Sequence, residues 1–288
     1  MFDRFKKSNS SDDKRPAERA DDARPAPGGF GRRQTPVGGS PAQGEAPSAA
    51  ATAGFGQRQA PVAQGAPASN DGAPQKPGDA HPRDLTRPIL DWLTVEIGDG
   101  SGGIHCETAM TVLGALAGFA AQQACWAEMA AHGTPQQSVF NTARAKSGET
   151  FYLSNQVNEL LAGKGYPPSV LAIIADAAAK NGGRDFPDIK GIFQNAAETM
   201  GSELFGRPRA PAAHAPRILP RDALNRYWRA AHSLVEREHP AMRFRWFAVA
   251  AGSLLIKMQK SCPADISFYL VMEAAVPMSK IDPATVPK

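Results

Sequence analysis

Leucine and isoleucine are absent from residues 2–84, and that gap decides where a fold can begin. Tyr, Trp and Cys are missing from the same stretch, and Val37 and Val62 are its only valines. Ordering a backbone costs roughly 1–2 kcal/mol per residue, and a segment made of Gly, Pro, Ala, Ser and charged side chains cannot bury enough apolar area to offset that. The composition therefore predicts a disordered arm over residues 1–84. Hydrophobic residues return abruptly at Leu85, and the remaining 204 of 288 residues suffice for one cooperative core.

The arm nevertheless repeats a phrase. GFGRRQTPV at 29–37 and GFGQRQAPV at 54–62 agree at seven of nine positions, at an offset of 25 residues. Gly and Pro matches follow from compositional bias, but Phe30/Phe55, Arg33/Arg58, Gln34/Gln59 and Val37/Val62 in fixed order do not. Duplication inside a low-complexity region is one explanation. The other is two copies of a docking motif: Gly flanks leave Phe30 and Phe55 free to enter apolar pockets, and Arg33 and Arg58 can pair with carboxylates. Val37 and Val62 follow prolines that hold the chain extended. A flexible 25-residue spacing spans about 25–30 Å r.m.s., which suits two sites on one partner or on neighbouring subunits.

Residues 85–288 read as one mainly α-helical domain of about seven or eight helices with one β-hairpin. Thr86 and Pro88 start a helix that stops at Gly98. A long helix is expected from about Ile104 to Ala131, closed by Gly133. It contains twenty uncharged residues between Glu107 and Glu128, but Gln122-Gln123 interrupt them and Ala and Gly dominate. That is the mark of a buried core helix rather than a membrane span, and Gly114-x-x-x-Gly118 permits close helix approach. SVFNTARAKSGETFYLS (138–154) predicts a hairpin turning at Lys-Ser-Gly-Glu. Short helices follow, capped by Ser154, by Ser169 and near Asp185–Asp188, the last running to Gly206. Residues 207–220 carry four prolines and form a crossing loop. Helices over about 221–238 and 241–260, and a last one to about Ala275, complete the domain. Without βαβ alternation, no Rossmann-like sheet is expected.

Chemistry is harder to find. Cys106 sits at the start of the long helix, where the dipole favours a thiolate, with His105 and His132 as conceivable bases. The alternative is a buried small hydrophobe. In HSLVEREH, His232, Glu236 and His239 would share a helix face, but the second Glu-x-x-His of a di-iron pair is missing, so no metal site is assigned. GDGSGG (98–103) lacks the Lys and Ser/Thr of a P-loop and the strand of a dinucleotide fingerprint, so no cofactor is expected. Three cysteines without a C-x-x-C pair, and a start with no apolar signal region, fit a reducing cytoplasm.

Charge is unevenly distributed. Residues 85–206 hold 7 basic and 12 acidic side chains, whereas 207–245 hold 9 Arg against 3 acidic residues. Arg217, Arg221, Arg229, Arg243 and Arg245 lie among Tyr227, Trp228, Phe244 and Trp246, a set suited to an anionic partner or a protein interface. The function expected from these features is a non-enzymatic interaction or adaptor protein whose partners are one or more proteins, oligomeric ones included. A Cys106-dependent hydrolase or transferase, and a nucleic-acid binder using the Arg cluster, are the alternatives.

Overall fold

A computed structural model describes residues 84–100, 103–165, 168–184 and 186–288. The arm and both copies of its repeat lie outside the described residues, apart from Asp84. Among the described residues, regular structure consists of eight α-helices, one antiparallel two-stranded hairpin and three short 3-10 turns. The fold is mainly α, in line with the sequence pattern.

In chain order the helices are α1 (Thr86–Ile97), α2 (Cys106–His132), α3 (Asn155–Ala162), α4 (Val170–Lys180) and α5 (Ile189–Glu198), then α6 (Pro220–Val235), α7 (Pro240–Met258) and α8 (Ala264–Met278). Strands β1 (Asn141–Arg144) and β2 (Thr150–Leu153) pair between α2 and α3. Local chemistry sets most of these limits. Ser154 and Ser169 accept hydrogen bonds from Val157 N and Ala172 N, and Pro220 and Pro240 occupy first turns, where the missing N–H costs nothing. Gly133, at φ 60°, closes α2 in the left-handed region.

Helix α2 is the axis of the domain. It is buried on every face from Cys106 to Gln122 and packs chiefly against α7 and α8. No helix among the described residues is long and apolar enough to cross a membrane. The small residues of α2 serve close packing instead. A Cβ placed on Gly114 would stand 2.9 Å from Val271 Cα, and one on Gly118 would stand 2.7 Å from Ala275 Cα. Around the α2–α8 contact, Trp228 of α6 meets Phe119 edge-on at 4.7 Å, and Trp126 stacks on Phe140 at 4.4 Å to hold the hairpin end. Arg209 reaches the buried Glu273 of α8, with Nε at 2.9 Å from Oε1.

Three expectations need correction. Helix α5 stops at Glu198 rather than near Gly206, because Gly201 turns the chain at φ 78° against Ala145. Helix α8 runs to Met278 through Pro277, which at the last turn removes a single ladder bond. Helix α6 ends at Val235, so His239 leaves the face of His232 and caps α7, accepting from Ala241 N, while Glu236 stays at the C-cap of α6 beside His232.

Lys280, just past α8, is buried over the Phe193 ring, with its Nζ donating to Asn158 Oδ1 at 3.2 Å. Burial pushes its pKa down from 10.5 to about 8. Between those two values the unfolded chain binds more protons than the folded one, so stability rises with pH across that window. Below about pH 8 the cost of burying the ammonium, on the order of 3 kcal/mol, is fully present. Lys280→Met should therefore raise urea-unfolding stability most at pH 7, and the gain should shrink toward pH 10.5. A gain constant with pH would show that the ammonium is not what the fold strains against.

Candidate functional site

The titratable side chains of the domain converge at the N-terminus of α2. His105 is the N-cap of that helix, and its Nδ1 accepts from Thr108 N at 3.3 Å and meets Thr108 Oγ1 at 2.9 Å. With Nδ1 accepting, the ring proton resides on Nε2, which faces Glu107 Oε2 at 3.6 Å. The 207–220 crossing loop is pinned to the same turn, since Arg217 N donates to Thr108 Oγ1 at 2.9 Å. That bond brings His214, on the 3-10 turn Ala212–His214, to Glu107: Nδ1 stands 2.9 Å from Oε1. The α7–α8 corner supplies Cys262, held by its backbone N–H on Met258 O at 3.0 Å.

Cys262 Sγ, a Glu107 carboxylate oxygen and a His214 ring nitrogen all lie within 4.8 Å of one another. Cys262 is fully buried and Glu107 nearly so, while His214 is partly exposed. Cys106 adds a second thiol, directed at the Cys262 sulfur, and the buried Ser267 hydroxyl of α8 stands beside both.

The electrostatics follow from these contacts. Burial alone would raise the Glu107 pKa, but the hydrogen bond from His214 and one from a backbone N–H outweigh it and hold the carboxyl below its ordinary value. Cys262 is held down at about 7, chiefly because the Cys106 S–H donates to its sulfur, with burial opposing and Ser267 assisting. The same contact, together with burial, pushes the Cys106 thiol far up. Cys106 is thus a buried thiol, the small hydrophobe of the two readings its sequence position allows.

Sequence reasoning singled out His105 and Cys106, and both are here. His132 is not: it lies at the far end of α2, paired with Glu128 at 2.9 Å. Glu107, His214 and Cys262 were missed. Glu107 had a signal, being the third residue of His-Cys-Glu at a helix start, but His214 in a proline-rich loop and Cys262 before Pro263 have no local pattern linking them to it. Cys125 is elsewhere, bordering an apolar cleft of about 230 Å³ with Ala124, Leu160 and Ala241, and burial lifts its thiol to about 11.

The arginine cluster does not form a common patch. Arg243 donates to the carbonyls of Glu236 and Glu238 and closes the α6–α7 corner. Arg221 pairs with Glu149 at 2.5 Å and lies over Phe205. Arg245 is half-buried against Met242, which leaves Arg217 and Arg229 as the exposed members of the five. Phe30, Arg33, Val37, Phe55, Arg58 and Val62 lie outside the described residues. No family model, curated protein or solved structure matches this chain.

Proposed function

We propose that this chain is a non-enzymatic interaction protein, in which the helical domain is a stable platform and residues 1–84 carry two partner-docking motifs. The observation that carries the reading is the duplicated GFGxRQxPV phrase, with four non-Gly, non-Pro identities in register. The geometry of the domain supports it. Among the described residues, the constellation with reactive residue types has both thiols closed off from solvent, at 3% exposure for Cys106 and 0% for Cys262. Three of the five arginines that would recruit an anionic partner are committed to structural contacts. An enzyme reading now centres on Cys262, His214 and Glu107, which line up as thiol, imidazole and carboxylate. Rapid, selective iodoacetamide labelling of Cys262 near neutral pH would favour it.

The test is quantitative capture by immobilised full-length protein and by residues 85–288, side by side. Partners retained only by the full chain support the proposal, and identical partner sets on both sink it. The comparison requires that residues 85–288 fold without the arm. The buried core begins at Ile89, so thermal melts of the two proteins should agree within a few degrees. A large drop on truncation would mean that the arm contributes to the core.

A further inference from the structure

We propose that Glu107, His214 and Cys262 form a binding site for a divalent transition-metal ion, zinc by its ligand chemistry, which staples the crossing loop and the α7–α8 corner to the start of α2. The three ligating atoms lie within 4.8 Å of one another and come from three segments far apart in sequence. One carboxylate oxygen, one imidazole nitrogen and one thiolate are a borderline-soft donor set, suited to zinc and unsuited to magnesium or calcium.

The spacing is close to what an ion needs. Metal–ligand bonds of about 2.0 Å at a tetrahedral angle place two N/O donors about 3.3 Å apart. Glu107 Oε1 and His214 Nδ1 stand at 2.9 Å, sharing a proton. Exchanging that proton for the ion widens the pair by a few tenths of an ångström and draws the sulfur inward. Charge favours the exchange as well. One carboxylate, one thiolate and a neutral imidazole around a divalent cation sum to zero, so the buried site carries no net charge.

The surroundings are those of a ligand-holding centre. His105 Nε2–H is directed at the second oxygen of Glu107, and its tautomer is set by Thr108. Such outer contacts orient metal ligands. The Ser267 hydroxyl is fully buried and stands beside both thiols. The three ligating atoms that come together are those of Glu107, His214 and Cys262, so the protein supplies three donors. The role is structural, since the loop carrying His214 otherwise rests on few bonds to α2, and metal binding at such a joint adds to folding stability.

The test is a cobalt(II) and zinc(II) titration of full-length, metal-stripped protein under reducing conditions. One equivalent should bind, with a thiolate-to-cobalt charge-transfer band in the near ultraviolet. Cys262→Ser should abolish the band. Glu107→Gln, a near-isosteric change, and His214→Ala should each weaken zinc at least tenfold while far-UV helicity stays as in the wild type. Cys106→Ser should still take up one equivalent. Zinc should raise the melting temperature of the wild type and not of Cys262→Ser. A wild-type protein with no band and no retained zinc overturns the site, and so does unchanged zinc affinity in Cys262→Ser. Equal loss in Cys106→Ser and Cys262→Ser overturns the three-donor assignment. Because no partner is present, failure here leaves the interaction reading standing, and the reverse.

Discussion

Full-length protein carrying both Phe30→Ala and Phe55→Ala should lose nearly all partner capture, while either change alone leaves a weakened but measurable signal. An aromatic anchor seated in a pocket is worth about 2 kcal/mol or more on truncation, roughly thirtyfold in affinity. The second site multiplies this. Two motifs joined by a flexible spacer bind with an effective concentration set by the spacer, which raises overall avidity by roughly 10²–10⁴-fold without new contacts. The first substitution removes one anchor together with that gain, and the second removes what is left. Arg33→Ala with Arg58→Ala should have a smaller effect that fades with salt, because exposed ion pairs are weak and screened. Surface biosensing of the four variants and the wild type against one captured partner measures all of this. A double Phe variant that binds as the wild type would reduce the repeat to an accident of low complexity.

The second large effect concerns the joint between α2 and α8. Gly118→Val should destabilise the domain by about 3 kcal/mol or more, at the upper end of overpacking costs. The reason is the identity of the neighbour. A side chain can rotate away from an added methyl, but the Cβ of residue 118 would meet Ala275 Cα at 2.7 Å and its carbonyl closer still. The helices must separate, and the apolar seam from Leu113 to Phe119 loses contacts along its length. Alanine at 118 should cost less, because it gains about 1 kcal/mol of helix propensity in partial compensation. Gly114→Val combined with Gly118→Val should leave no folded domain, given total stabilities of about 5–15 kcal/mol. Gly252→Ala is the contrast: its nearest neighbour is the Ala177 methyl at 3.2 Å, so propensity and crowding should nearly cancel. Denaturant melts of the four variants decide the matter. A Gly118→Val protein as stable as the wild type would mean that the two backbones are not in contact.

Both glycines were legible before any coordinates, as G-x-x-x-G in an Ala-rich helix, but what they approach was not. The same division runs through the buried centre. His105 and Cys106 announce themselves by sitting at a helix start after a glycine-rich loop. Nothing near His214 indicates that its ring meets a carboxylate 107 residues earlier in the chain. The helix dipole would favour a thiolate at Cys106, but burial against the Cys262 sulfur, a contact that no local window of sequence records, holds it as a thiol. His232 and His239 show the converse: they share a face only if the helix continues, and α6 stops at Val235.

Sequence alone determined that the domain is helical with one hairpin, and most helix starts and stops, because caps, prolines and apolar period act within one or two turns of chain. It also holds the whole case for the repeat, which depends on order and spacing. Tertiary structure decided the rest: which helix face the glycines bring together, which arginines are consumed at corners, and that Glu107, His214 and Cys262 occupy one enclosure. Those outcomes depend on how a proline-rich loop and a helical corner pack onto α2. Packing is a sum over many distant apolar contacts, and no short window of residues records it.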